Sequence, residues 1–238
     1  MTIADCCKKL RLSRNIVEMS GKIQADSHQE YLLKLLKTEL EHRDMARKDK
    51  LLKNAGFYNL KTLDGFRFDE VTLPGAINVE YLKACKFIDD KTNLVMYGNI
   101  GTGKTHLSIA LGVEACKKGI EVRFFRTSAL VNKLAETKKN GTLSAFLKQL
   151  RKTELLIFDE WGYIPLDRTG AQLLFDVISE RYEHKSVILN TNIEFSRWVN
   201  VFYDEQMTGA IIDRLLHHCH LIMFAGPSNR MREAKLSQ

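Results

Sequence analysis

Short runs of apolar residues alternate with longer amphipathic stretches over the last two thirds of the chain. The runs predict five strands, at residues 94–97, 120–125, 155–158, 187–189 and 221–224. Helical spacing of apolar residues predicts helices at residues 104–118, 128–134, 143–150, 168–183 and 209–217. Continuous apolar strands that alternate with helices are typical of a parallel sheet covered on both faces. We therefore predict an α/β fold of three layers around a central parallel five-stranded sheet.

The first third of the chain has a different pattern. Residues 28–53 carry apolar side chains at broadly helical spacing and predict one long amphipathic helix with a basic second half. Residues 4–20 predict a shorter helix. Residues 54–74 contain glycines, a proline and several aromatic residues, and we interpret them as a linker that packs on the next domain. The expected organisation is a small all-helical N-terminal domain, residues 1–65, followed by a second domain, residues 66–238.

The composition narrows the class of protein. With 45% hydrophobic and 27% charged residues, the chain of 238 residues resembles a globular protein that buries a core. No stretch reaches the ~18 apolar residues of a membrane span, and the N-terminus has no signal-peptide run, so we expect no membrane association. The five cysteines are odd in number and form no C-x-x-C pair, which favours reduced thiols and a cytoplasmic location.

The positive charge is concentrated in part of the chain. The formal net charge is +7, and residues 117–152 alone carry ten Lys or Arg against two Asp or Glu. A block of this kind is either a solvated lysine-rich surface or a surface that attracts a polyanion. Charge alone leaves both interpretations open.

The strongest chemical signal lies between the first predicted strand and the helix that follows it. The sequence there is Gly98, Asn99, Ile100, Gly101, Thr102, Gly103, Lys104, Thr105 and His106, and it fits the pattern G-x-x-x-x-G-K-[ST] of a phosphate-binding loop. Glycines are needed because backbone N–H groups must wrap a phosphate closely. The helix then directs its positive end at the phosphates. The motif predicts ATP binding, with Lys104 on the β- and γ-phosphates and the Thr105 hydroxyl on Mg²⁺.

Two carboxylates follow the predicted strand at residues 155–158. Asp159 and Glu160 would emerge at its carboxyl end, where α/β sheets bind their ligands. We expect Asp159 to hold Mg²⁺, directly or through water, and Glu160 to act as general base on the attacking water. The pair therefore predicts hydrolysis of the nucleotide as well as binding.

Two further motifs supply polar side chains for the same reaction. The strand at 187–189 ends in Asn190, Thr191 and Asn192, and Asn192, or less favourably Asn190, is placed to orient the lytic water, because neighbouring parallel strands end on one edge. Arg214 follows an apolar helical stretch. It is either an arginine finger for a neighbouring subunit's site or a member of a surface ion pair, for instance with Asp213.

The order and detail of these motifs resemble an AAA+ ATPase, and within that class the IstB-like branch. That branch comprises ATPase helpers of insertion-sequence transposition, related to the DnaC helicase loader. The residues that carry the resemblance run nearly the whole length of the chain. They are Gly101 to Leu107, Leu156 to Asp167, Gly170 to Phe175, Ile178 to Glu183, Thr191-Asn192 with Phe195 to Trp198, and Asp213 to Leu215 with His217-His218.

The resemblance implies a P-loop AAA+ core that assembles as a ring or helical homo-oligomer on duplex DNA. It also implies that Arg214 acts on a neighbouring subunit and that DNA is remodelled for a transposase encoded by the same element. The basic segments then become candidate DNA contacts, of which we name Arg43, Arg47, Lys48, Lys50, Lys138 and Lys139. A DnaC-like helicase loader and a non-catalytic, nucleotide-gated adaptor are the alternatives.

The chain departs from the family pattern at two places. Asn99-Ile100 replace a frequent Pro-Pro, which should leave phosphate contacts intact because these use the backbone. Near the C-terminus Asn229 stands in place of an aromatic residue, and no C-terminal helical lid is expected. This departure argues against a second nucleotide-sensing arginine, for which Arg230 is the candidate.

Two groups of residues are set aside. His217, His218, Cys219 and His220 are consecutive, and because side chains diverge along a regular element, we predict no metal site from them. Trp161 and Tyr163 would be able to stack on a base, but aromatic residues after a buried strand are expected to pack against the protein instead.

Overall fold

The computed structural model describes residues 1–202, 204–229 and 231–232. The chain divides into two compact units, Met1–Leu51 and Leu52–Gln238. The division into domains of residues 1–65 and 66–238 stays a prediction. Among the described residues, no helix combines the length and the apolar character that crossing a bilayer requires.

The first unit is helical. Its elements are α1 (Ile3–Lys9), α2 (Asn15–Ser20) and the first part of α3 (His28–Asn54). The single helix predicted at residues 4–20 is wrong, because Arg11 adopts a left-handed conformation with φ 55° between α1 and α2. The buried Glu39 carboxylate of α3 accepts hydrogen bonds from the backbone N–H of Ser13, at 2.9 Å, and from Arg43 Nε, at 2.7 Å. The break between α1 and α2 is thus fixed by a partner that lies 26 residues away.

The second unit alternates strands and helices, as predicted. Its strands are β1 (Val71–Thr72), β2 (Asn93–Gly98), β3 (Val122–Arg126), β4 (Leu155–Trp161), β5 (Ser186–Thr191) and β6 (Cys219–Phe224). Its helices are α4 (Val79–Lys83), α5 (Lys86–Asp89), α6 (Lys104–Lys117), α7 (Thr127–Lys139), α8 (Leu143–Lys152), α9 (Arg168–Arg181) and α10 (Glu205–Leu216), with a 3-10 helix at Phe195–Asn200.

The sheet differs from the prediction by one strand. In the part of the chain that the structure describes, six strands lie in the order β1-β6-β2-β5-β4-β3. The five strands from β2 to β6 pair in parallel, whereas β1, at the edge of the sheet, pairs antiparallel with β6. The prediction of a wholly parallel five-stranded sheet is therefore corrected to a mixed sheet. The sequence did not predict β1, because a strand of two residues is too short to show a hydrophobic run. Its residues therefore look like part of a linker.

Side chains on β4 show that helices cover both faces of the sheet. Leu156 and Phe158 belong to a buried cluster that includes residues of α7 and α9, such as Leu130 and Leu174. Ile157 points the other way, towards α6, where it approaches Gly112. Alternate residues of a strand face opposite sides of a sheet, so these strands need apolar residues at every position. The result is a three-layer α/β unit whose strand ends are free to build a site.

Candidate functional site

The predicted phosphate loop joins the end of β2 to the start of α6. Gly98, Gly101 and Gly103 all have positive φ, at 153°, 80° and 107°. Two of them are also crowded: a Cβ on Gly98 would lie 2.2 Å from the Phe224 carbonyl oxygen, and one on Gly101 would lie 2.2 Å from Ser228 Oγ. The loop therefore requires glycine for its backbone conformation and for the close approach of the end of β6 and of the chain that follows it.

Side chains of the loop form hydrogen bonds with backbone carbonyl groups of the same loop. Lys104 Nζ donates hydrogen bonds to the carbonyl oxygens of Gly98 and Asn99, at 2.7 and 2.6 Å. The Thr102 hydroxyl donates to the Asn99 carbonyl at 2.8 Å. Ile100, at the tip, is 55% exposed. The lysine ammonium thus lies against the loop whose amides are predicted to bind phosphate.

Thr105 and Asp159, the two predicted Mg²⁺ ligands, lie together although 54 residues separate them. The Thr105 hydroxyl donates to both carboxylate oxygens of Asp159, at 3.0 and 3.2 Å. Asp159 is 5% exposed, and α6 and β4 hold the two residues at the same edge of the sheet. A hydroxyl and a carboxylate are hard oxygen donors of the kind that Mg²⁺ prefers. The residues present therefore fit a magnesium ion beside the phosphate loop.

Asn190 positions this pair, a role that sequence reasoning missed. Its Nδ2 donates to Asp159 Oδ1 at 2.9 Å and to Ser108 Oγ at 2.8 Å, and Ser108 Oγ donates to the Thr105 carbonyl at 3.1 Å. The available signal was an amide directly after an apolar strand run, because a polar group buried at a strand end needs hydrogen-bond partners. Its meaning depends on α6 and β4, which pack beside β5 only in the folded chain.

Glu160 lies beside the buried Asp159 but faces solvent. Its φ is 56°, and 44% of its side chain is exposed. It pairs with Arg126, the last residue of β3, whose Nε lies 3.8 Å from Glu160 Oε1. Strand pairing places Arg126 opposite Asp159. The predicted base is therefore within reach of the site and is held by a neighbour that the sequence did not single out.

Asn192 follows the end of β5 and lines a cavity of about 440 Å³, together with Tyr97, Tyr163 and Arg197. Its Oδ1 is buried and has no hydrogen-bond partner among the described residues. Asn192 therefore keeps an unsatisfied acceptor at the same sheet edge as the phosphate loop.

Two aromatic residues at the end of β4 were expected to pack against the protein. Trp161 is fully buried, as expected, whereas Tyr163 is 49% exposed, against expectation.

Arg214 is not brought to this edge. It lies in the last turn of α10, where its Nη1 donates to the Ala210 carbonyl at 3.0 Å and its guanidinium lies 4.8 Å from the centre of the Phe175 ring. The next residue, Leu215, accepts a hydrogen bond from Asn93 at the start of β2. A strand of six residues is about 20 Å long, so Arg214 and the end of β2 are at opposite edges of the sheet. It forms no ion pair with Asp213 among the described residues.

The segments before and after the sheet lie against the phosphate loop. Phe66 lies 3.4 Å from the position of a Cβ on Gly103 and 5.3 Å, between ring centres, from His106. His106 Nε2 is 3.0 Å from the Thr62 carbonyl oxygen. On the other side, the Asn229 N–H donates to the Gly101 carbonyl at 2.9 Å. The segment interpreted as a packing linker does pack here, while Arg230 lies outside the described residues.

The six candidate DNA contacts are mostly exposed, and Lys48 is half-buried. Arg43 and Lys48 form ion pairs within α3, with Glu39 and Asp44. Lys138 and Lys139 occupy the last turn of α7. Exposure is required for a DNA contact but also describes a solvated surface, so their role stays a prediction.

Comparison with known proteins gives a family. A family model described as IstB-like ATP binding protein matches residues 8–237. A putative ATP-binding protein of insertion sequence IS5376 from Geobacillus stearothermophilus is 36% identical over 212 residues, which cover 89% of this chain and 84% of that protein. The corresponding protein of IS21 from Pseudomonas aeruginosa is 35% identical over 223 residues, covering 93% and 83%.

Solved structures agree on the fold. The replication initiator DnaA bound to AMPPCP and single-stranded DNA superposes with a TM-score of 0.57 and 22% identity, covering 74% of this chain and 54% of that chain. The crystal structure of DnaI superposes with a TM-score of 0.55 and 17% identity, covering 76% and 93%. At these identities the likeness concerns the fold, an AAA+-like P-loop core with a mixed sheet. By fold, by the phosphate loop and by the match along nearly all its length, the chain belongs to the family of IstB-like ATP binding proteins.

Proposed function

We propose that this protein is a Mg²⁺-dependent ATPase that binds duplex DNA, oligomerises on it and assists the transposase of its own insertion sequence. The observation that carries the enzymatic half is the contact of the Thr105 hydroxyl with both oxygens of Asp159, next to a phosphate loop and with Glu160 one residue further on. Family membership supports the other half, because relatives are named as ATP-binding proteins of insertion sequences.

Each residue of the site has a distinct task in this proposal. The backbone amides of residues 98–105 and the Lys104 ammonium bind the phosphates, and Thr105 and Asp159 hold the metal ion. A Mg²⁺ ion held by Thr105 and Asp159 would supply positive charge against the charge that develops on the phosphate oxygens. Glu160 accepts a proton from the attacking water, which Asn192 orients through its unsatisfied Oδ1. The water oxygen forms a bond to the γ-phosphorus as the bond to the β,γ-bridging oxygen breaks, releasing ADP and phosphate.

The proposal for DNA rests on charge and on family. Residues 117–152 carry ten Lys or Arg, and the α7 end with Lys138 and Lys139 is exposed. Cations that neutralise phosphates displace condensed counterions, so binding through them must weaken as salt increases. Assembly into a ring or helix would place such patches repeatedly along one duplex.

A substitution of the proposed base tests the enzymatic half. Glu160→Gln keeps the size and shape of the side chain but removes its charge and basicity, so we expect ATP turnover to fall by about 10²–10⁴-fold while ATP binding persists. Steady-state phosphate release and binding of a fluorescent ATP analogue measure the two effects. Turnover that survives the substitution would show that Glu160 is not the base.

Measurements of DNA binding, helicase binding and ATP turnover separate the proposed function from its alternatives. Salt-sensitive binding to duplex DNA, with a change in ATPase rate on adding DNA, is expected for the transposition helper. A stable complex with a replicative helicase and a preference for single strands would favour a helicase loader. A wild-type protein that binds ATP but never hydrolyses it would favour the nucleotide-gated adaptor.

A further inference from the structure

A cluster of polar side chains lies away from the phosphate loop, at the opposite edge of the sheet. Glu183 follows α9, and His217 and His218 form the turn between α10 and β6. One ligand atom from each of the three residues lies within 4.8 Å of the others. All three side chains are exposed. None of them has a part in the proposed ATPase reaction.

The two histidines converge where α10 gives way to β6: His217 is the C-cap residue of α10, with φ −53° and ψ −45°, and His218 is the turn residue before the strand. Side chains at consecutive positions diverge along a regular element, and this was the reason for expecting no metal site here. In the turn, the ring centres of His217 and His218 are instead 4.3 Å apart. His220, which does lie in β6, packs on Tyr81 with ring centres 5.7 Å apart. Of these three histidines, His217 and His218 thus lie next to each other, whereas His220 packs elsewhere.

Glu183 and Tyr182 complete the arrangement. Glu183 has a left-handed backbone, with φ 62°, and its Oε1 lies 3.5 Å from His218 Nε2. The Tyr182 hydroxyl is 2.8 Å from His217 Nδ1. When that tyrosine oxygen accepts the Nδ1 hydrogen, the lone pair of His217 is on Nε2. Metal-ligating histidines typically donate their second ring N–H to an oxygen in this way.

We propose that Glu183, His217 and His218 form a binding site for a divalent transition metal ion of the Zn²⁺ class. Two imidazoles and one carboxylate are a ligand set that zinc accepts, with water in the fourth position. Ligand atoms around one zinc ion lie ~3.3 Å apart, given bonds of ~2.0–2.2 Å. Exposed side chains reach that separation from the present one by small rotations about their own bonds.

An ion bound there joins two elements. Glu183 lies two residues after the end of α9, and His217 directly follows α10, so the ion links the C-terminal ends of both helices. Arg214 is one turn before His217, and its guanidinium already packs on Phe175 of α9. The metal site therefore stabilises the part of the molecule that positions Arg214.

Titration of the full-length, tag-free protein with Zn²⁺ tests the site. Calorimetry is expected to show one Zn²⁺ bound per chain, and hydrogen exchange is expected to slow in residues 182–184 and 214–219. The absorption spectrum of Co²⁺, used as a second probe, should show tetrahedral bands. His218→Ala and Glu183→Gln should each weaken Zn²⁺ binding by at least about tenfold, because each removes one of three protein ligands.

Two matched variants serve as controls. His184→Ala removes another exposed histidine, adjacent to Glu183 but outside the cluster, and should change Zn²⁺ affinity by less than about twofold, within the scatter of a surface substitution. Asp159→Asn alters the predicted Mg²⁺ site and should leave Zn²⁺ binding intact. The proposal is overturned if the protein binds no Zn²⁺ in a saturable way, if His218→Ala and Glu183→Gln bind as tightly as the wild type, or if a control loses as much affinity as they do.

Discussion

Glu160 has a backbone conformation that few non-glycine residues adopt, directly after a buried aspartate. The φ of 56° turns its carboxylate away from the interior of the sheet and towards Arg126 on the neighbouring strand. Arg126 also lies over the ring of Tyr58, 5.6 Å from its centre. Arg126 therefore attracts the proposed base, and we expect it to compete with the attacking water for the carboxylate.

Removing that attraction should release the base. We expect Arg126→Met to raise ATP turnover in the absence of DNA by up to about fivefold, because exposed ion pairs contribute ~0.2–1 kcal/mol. Phosphate release by Arg126→Met and by the double variant Arg126→Met/Glu160→Gln checks this, and the double variant should be as slow as Glu160→Gln alone. Turnover that stays constant or falls in Arg126→Met would mean that the arginine does not restrain Glu160.

One buried arginine joins several elements on the side of the sheet where the parallel strands begin. Arg181, the last residue of α9, is 4% exposed. Its guanidinium donates to backbone carbonyls at the end of α8 and at the starts of β4 and β5, namely those of Leu150, Thr153, Glu154 and Ser186. Burial lowers the pKa of Arg181 to about 9, although Glu154 acts in the opposite direction. Four carbonyls at the ends of three elements thus depend on one side chain.

Arg181→Lys should therefore destabilise the fold. An ammonium cannot match the planar fork of donors, so several buried carbonyls lose their partner at a cost of ~2–4 kcal/mol in total. Urea unfolding followed by tryptophan fluorescence measures the change, because Trp161 and Trp198 are both buried in the second unit, which also contains Arg181. The control is Arg151→Lys, whose exposed ion pair with Glu180 should contribute less than ~1 kcal/mol. Equal midpoints for the two variants would show that Arg181 is not a structural link.

At the scale of the whole molecule, Arg214 and the phosphate loop are at opposite edges of one sheet. This separation argues that Arg214 cannot serve the site of its own chain and fits the proposal that it completes the site of a neighbour. Mixing Arg214→Ala subunits with Lys104→Ala subunits should then restore part of the ATPase activity that each lacks alone. Mixed oligomers, confirmed by light scattering, that stay inactive would count against a finger acting between subunits.

Affinity for DNA is also a property of the whole molecule, because it depends on how positive charge is distributed over the surface. Lys138→Glu/Lys139→Glu should weaken duplex DNA binding and reduce the salt slope of the affinity by ~0.9 for each DNA phosphate that the variant no longer neutralises, with ATP binding unchanged. Fluorescence anisotropy over a range of salt concentrations measures both quantities. Lys83→Glu/Lys86→Glu makes the same change of charge in residues outside the two basic segments and is the control. An equal decrease in affinity for both variants would indicate only a general effect of net charge.

The sequence by itself determined the features that depend on neighbours in the chain. Apolar runs predicted the five parallel strands, β2 to β6, and helical periodicity predicted α6 to α10, because burial on both faces demands an unbroken apolar pattern. The glycines and lysine of residues 98–105 predicted the phosphate loop, since its backbone conformation is encoded locally. Asp159 and Glu160 were recognisable for the same reason, as charges directly after a buried strand.

Tertiary structure alone decided the features that depend on distant partners. β1 exists because β6 offers it an edge, and its two residues carry no pattern of their own. Asn190 acts on Asp159 only because β4 and β5 pair, and Glu183 meets His217 and His218 only because α9 and α10 end side by side. Hydrogen bonds and ligand sets form between side chains that are close in space, and separation along the chain does not reveal that distance.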